Sequence, residues 1–254
     1  MTDPLFLQLA VGILIGLGAG YLGSFMVLKR MSLVGDVISH VALPGIAIAL
    51  MFEVDPFFGA FGALFLAILG IWFLERKTEI PSETLVGIFF ALSLALGILI
   101  TPEPELLEAL FGDIAKISLA DVLLTAVLTA AIFIIIAKIY RGLALSVISK
   151  ELAQSMKINT SLTSFLFLLL VAIIVALGLK ITGAFLMGAL VIVPAAAAKN
   201  ISINLKRYTI LSGLFGAISG LGGILMATYF NLHPGPIIVL ASGVIFLITL
   251  LFKR

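Results

Sequence analysis

Apolar residues run along this chain in long blocks separated by short polar breaks, at about 5–28, 36–52, 56–74, 84–100, 119–140, 162–179, 183–198, 208–230 and 236–252. Crossing about 30 Å of hydrocarbon takes roughly 20 apolar residues as a helix, because nothing in lipid satisfies a broken backbone hydrogen bond. The pattern therefore predicts an all-α integral membrane protein with nine transmembrane helices in a single domain, 1–254. The block at 183–198 is short, and Pro44 and Pro194 interrupt their blocks, so one broken or re-entrant segment would reduce the full spans to eight. The first block is too long for the core of a signal peptide and no basic leader precedes it, so it reads as a retained first span.

Composition sharpens the picture. Hydrophobic residues make up 62% of the chain and charged ones 11%, and mean hydropathy is +1.31, so a bilayer is the natural solvent. The net charge of +2 is small and scattered, which sets nucleic acid aside as a partner. There is no cysteine. Thiolate ligation and a cysteine nucleophile are thereby excluded, and any metal must be held by oxygen or nitrogen.

The placement of basic residues predicts orientation, since Lys and Arg are retained on the cytoplasmic side. Of 15 Lys and Arg, only Lys116 and Lys180 follow even-numbered blocks. The N-terminus is expected outside and the C-terminus in the cytoplasm.

Two connections exceed a tight turn. The one at about 101–118 is acidic and carries Pro102 and Pro104; the other, at about 141–161, lies on the cytoplasmic side in this orientation. Within it, about 149–158 has helix-forming composition, with Ser149 as a cap and Leu152 and Met156 four apart on one face. Such a helix lies on the membrane surface or docks in a partner's groove, and amphipathicity does not choose between these.

The segment KRMSLVGDVISHVALPG holds the most informative chemistry. Asp36 and His40 stand four apart on one helical face, where both side chains can meet one ion. Carboxylate and imidazole suit zinc or manganese, but a tetrahedral site needs four ligands, which a two-fold dimer would supply. A structural role competes on equal terms: Asp36 capping a helix at the cytoplasmic edge and His40 satisfied by a neighbour. A ligating imidazole loses its metal once protonated, so binding should weaken below a nominal pH of about 6.5.

His233, in NLHPGP, is the only other histidine. It is either a metal contact on the entry side or a solvated loop residue, and the lack of a nearby carboxylate favours the loop. Glycines in GILIGLGAGYLGS and SGLFGAISGLGG recur at helical spacings that permit close packing or dimerisation. No G-x-x-x-x-G-K-[ST] motif occurs, so ATP, if it drives the process, is bound by another polypeptide.

With these residues in view, the chain resembles the permease subunits of the zinc, manganese and iron ABC importers. The signature is Gly35, Asp36, His40, Pro44 and Gly45, and SETLVGIFFALSLALGIL, LFGDIAKISLADVL, ITGAFLMGALVIVPAAAA and HPGPIIVLASGVIFL are similar to family segments in the same order. The resemblance implies a type II ABC importer-like fold in the cytoplasmic membrane of a prokaryote. It implies a homodimer with a metal path on its two-fold axis, two ATP-binding subunits below it and an extracytoplasmic metal-binding protein above it. Asp36 and His40 would then meet the metal, either centrally or at an inner gate, while no cofactor is held permanently. The cargo would be zinc or manganese, with iron served by the same ligand types.

The segment SKELAQSMKIN resembles the family's coupling helix, which makes Glu151, Leu152, Ala153 and Met156 the expected ATPase contacts. Lys157 stands near the place of a family glycine, and Asn231 and His233 replace the commoner Asp-x-Pro-x-Gly pattern. Gly35, Pro44, Gly45 and Pro194 are expected to kink or pack helices. Alternative readings are a permease for a metal chelate or cobalamin-like cargo, which would not need the Asp/His pair, and a secondary metal transporter driven by an ion gradient. An intramembrane enzyme fits least, because two separated histidines and no cysteine leave few ways to pair a catalytic group with its base.

Overall fold

In a computed structural model of the protein, residues 4–78, 80, 82–100, 110, 112, 114 and 117–252 are described, the side chains of 32–36, 82, 83, 150, 185 and 186 excepted. Among the described residues every regular element is a helix: α1 (Pro4–Leu28), α2 (Ser32–Val41), α3 (Leu43–Met51), α4 (Pro56–Lys77), α5 (Ser82–Ile100), α6 (Leu119–Ile148), α7 (Lys150–Ser155), α8 (Thr160–Ile201), α9 (Leu205–Phe230) and α10 (Pro234–Leu250). Among the described residues five helices are long and apolar enough to cross a bilayer: α1, α4, α6, the Thr160–Ala184 part of α8, and α9. The shorter apolar helices Val37–Met51, Thr84–Ile100, Met187–Ile201 and Pro234–Leu250 fill the other predicted blocks. Most of the acidic connection predicted at 101–118 lies outside the described residues.

Helix ends follow from local chemistry. The side chains of Asp55, Ser118, Ser149, Asn159 and Asn204 each accept from a first-turn N–H of the helix they precede. Arg30, Glu53, Lys157 and Asn231 have φ of 60°, 55°, 59° and 52°, each just beyond a helix end. The bonds Met31 N to Met26 O, Val54 N to Ala49 O, Ile158 N to Ala153 O and Leu232 N to Ala227 O, at 2.9–3.1 Å, close each turn over the last carbonyls. This is the left-handed helix stop, built here without glycine.

α8 is the hub. It packs against α1, α2, α4, α6, α9 and α10, and the first part of it is the most enclosed of the long spans. Phe167 on α8 meets Phe25 on α1, which also stands edge-on to Tyr140 on α6 at 5.7 Å. These rings tie three helices at the centre of the core.

The two glycine-rich segments pack on each other within one chain. On α1 and α9, Gly220 faces Gly12, Gly16 faces Gly216 and Gly20 faces Ser212, with backbone where a Cβ on the first of each pair would stand; a Cβ on Gly12 would meet the Ile224 side chain. Small residues let the two helices approach to backbone contact, as lipid-solvated helices must when dispersion drives their association. Gly45 on α3 and Gly59 on α4 make a second reciprocal contact of this kind.

Two prolines behave differently. Pro44 occupies the first turn of α3, where an N–H is not needed, immediately after the short interruption at Ala42. Pro194 lies inside α8, but the departure from helical angles falls at Gly183, with φ 68° and ψ 175°. The predicted interruption at Pro194 is thus replaced by one 11 residues earlier, at a conformation that glycine almost alone adopts.

Candidate functional site

α2 is short and carries Asp36 and His40 one turn apart. The side chains of residues 32–36 lie outside the described residues, so Asp36 is placed by its backbone alone, whereas the His40 ring is described. His40 is 8% exposed, near the C-terminal end of α2. Its ring meets Phe90 on α5 edge to face, with centroids 5.6 Å apart. The adjacent Ser39 is fully buried and donates from Oγ to Ala184 O at 2.7 Å, on the residue after the α8 break. α2 is therefore pinned between α5 and α8, with the imidazole enclosed by the bundle. An imidazole so placed can offer one nitrogen to a metal while packing fixes its ring plane.

The remaining sequence-derived residues are placed elsewhere. His233 is the exposed residue preceding α10, with no side-chain capping bond. Among the described residues no group of three or more His, Asp or Glu gathers as a ready metal site.

The short helix expected at about 149–158 is present as α7, capped by Ser149 Oγ, which accepts from Leu152 N at 3.1 Å. Glu151, Leu152 and Met156 are exposed, whereas Ala153 is fully buried against its own chain. Ala153 seats α7 on the bundle, and Leu152 and Met156 form its outward apolar face. Lys157 is the left-handed residue that ends α7, which gives the expected glycine its physical reason: a Cβ is disfavoured there. Lys157→Gly should leave the fold intact and raise stability by about 0.5–1 kcal/mol, read as a higher midpoint in thermal unfolding.

Beside α7 lies a groove of about 310 Å³ whose walls include Lys29, Arg30, Glu75, Ser146, Thr160 and Ser164. At the opposite end of the helices, Lys180 Nζ donates to Asp121 Oδ1 at 2.8 Å and stands 3.9 Å from Asp55 Oδ2. In the sequence Lys180 stood out only as an exception to the basic asymmetry; a lysine inside an apolar segment was the available signal.

The chain matches the ABC 3 transport family over residues 1–253. It is 32% identical over 253 residues to the manganese transport system membrane protein MntC of Listeria monocytogenes, covering 97% of this chain and 90% of that one. It is 30% identical over 260 residues to the high-affinity zinc uptake system membrane protein ZnuB of Haemophilus influenzae, covering 100% and 99%. Among solved structures, PsaBC from Streptococcus pneumoniae in complex with Fab superposes with a TM-score of 0.86 at 32% identity, over 98% of this chain and 91% of that one. These matches bear out the resemblance carried by GDVISHVALPG and the four later segments, and by them the chain belongs to the ABC 3 transport family.

Proposed function

We propose that the chain is the membrane-spanning subunit of an ATP-driven importer of manganese or zinc. The observation that carries this is His40, buried on α2 one turn from Asp36, in a chain similar throughout its length to manganese and zinc permeases. Two ligands from one chain leave a metal under-coordinated, so two copies meet on an axis that brings both α2 helices to the path. The five long and four shorter apolar helices serve as nine crossings, with the N-terminus outside and the C-terminus in the cytoplasm, following the basic residues.

In this arrangement α7 is the cytoplasmic coupling helix. Leu152 and Met156 enter a groove of the ATPase, Glu151 adds a polar contact, and Ala153 transmits the motion because it is locked to the chain behind it. ATP is hydrolysed on the separate subunit, and an extracytoplasmic protein delivers the metal. The site formed by two carboxylates and two imidazoles is transient: it replaces part of the hydration shell and separates when the coupling helices move.

The test is uptake of labelled manganese, zinc and iron by importer-deficient cells carrying the chain with its ATPase and binding protein. Uptake of manganese or zinc that requires the ATPase is expected, and Leu152→Glu should reduce it about tenfold or more by placing a charge in an apolar contact. Uptake that persists without the ATPase would establish a gradient-driven carrier instead. Uptake of a chelate but of no free metal would replace the cargo.

A further inference from the structure

Lys180 ends the straight part of α8, three residues before the break at Gly183. Its ammonium bonds Asp121 in the first turn of α6 and stands 3.9 Å from Asp55, the residue that caps α4. One cation therefore ties three elements that are distant in sequence. Asp121 is set for this role by Ser118, whose backbone N and Oγ both donate to Oδ2 at 2.7 Å and leave Oδ1 to the lysine. The Lys180 and Asp121 side chains are 32% and 18% exposed, so the pair is shielded from much of the screening that weakens surface ion pairs.

Next to these charges lies a cavity of about 190 Å³ walled by Val11, Ile46, Leu50, Phe57, Leu124 and Leu177. Gly112 also borders it, with φ 75°, and approaches the α8 break so closely that a Cβ there would stand 2.8 Å from Gly183 N. From beyond the break, Ala184 O receives the Ser39 hydroxyl, next to His40. Ion pair, broken helix and α2 are thus one contiguous chain of contacts, with an apolar void at the charged end that gives the elements room to shift.

We propose that Lys180, Asp121 and Asp55 form a charge latch that holds this end of the helix bundle closed, and that its release lets the two parts of α8 move about Gly183 and carry α2 and His40 with them. The bond from Ser39 to Ala184 transmits the movement, and the glycine supplies the pivot without strain. The consequence for transport rests on the reading of Asp36 and His40 as the metal pair; the latch itself does not.

This chain has no cysteine, so an introduced thiol is the only one it carries, and labelling is read on this chain after it is separated from its partners. Leu50→Cys puts that thiol on the cavity wall, and its modification by a membrane-impermeant maleimide is measured in the assembled transporter. Lys180→Met should accelerate modification about tenfold, which is ~1.4 kcal/mol of closure free energy. Lys180→Arg should keep it slow. Asp55→Asn retains the α4 cap but removes a charge, and should give an intermediate rate. Ser164→Cys, at the other end, is the control and should be unaffected. Unchanged labelling at Leu50→Cys in both Lys180→Met and Asp55→Asn overturns the latch, as does an equal rise at the control site. Should Lys180→Met fail to accumulate, Asp55→Asn decides alone. Accelerated labelling in a chain that moves no free metal keeps the latch and removes the cargo reading; unaltered labelling with His40-dependent uptake does the reverse.

Discussion

His40→Ala should lower manganese or zinc uptake by about two orders of magnitude while the complex still assembles, since loss even of groups that only support metal ligands costs roughly 10–100-fold. The alanine leaves a small void beside Phe90 on α5, but the helix contacts of α2 with α8 survive through Ser39. Asp36→Asn, which keeps the shape and removes the charge, should have a comparable effect on uptake. A purely structural His40 would give the opposite pattern: reduced amounts of protein, with uptake per assembled transporter unaltered. Uptake normalised to purified complex distinguishes the two.

The second large effect concerns the contact between α1 and α9. Gly216 and Gly16 each place backbone where the other's Cβ would stand, so neither helix can yield by rotating one side chain. Gly216→Leu should destabilise the protein by about 2–4 kcal/mol, because overpacking here must separate two backbones. Gly222 on the same helix has open space where its Cβ would be. Gly222→Leu should therefore unfold within a few degrees of the native chain, while Gly216→Leu falls well below it. Equal thermal midpoints would mean that the close approach does not hold the helices together.

Much of the architecture was legible because the solvent for these helices is lipid. Every predicted apolar block falls on helix, but 36–52 is divided between α2 and α3, while 162–179 and 183–198 both lie in α8; Ser149 as a cap foretold α7. The break in α8 falls where the blocks 162–179 and 183–198 were divided, not at Pro194. Proline is the usual disruptor, yet Pro194 is accommodated inside the helix, and a glycine in an apolar run gives permission for a turn without requiring one. The orientation of Ala153 was hidden for a similar reason: six residues of helix do not reveal which side rests on the bundle. Lys180 and Asp121 lie 59 positions apart, and no local pattern joins them.

The contact between Gly16 and Gly216 also constrains how the protein is made. These positions are brought together from opposite ends of the chain, so α1 enters the membrane long before its partner exists. Until α9 is inserted, the glycine groove of α1 faces lipid or another protein, and the hub helix α8 is likewise missing from the core. Synthesis therefore passes through an intermediate whose earliest span lacks its tightest neighbour, and a chain cut short after α7 would leave that span without the backbone surface it is shaped to meet.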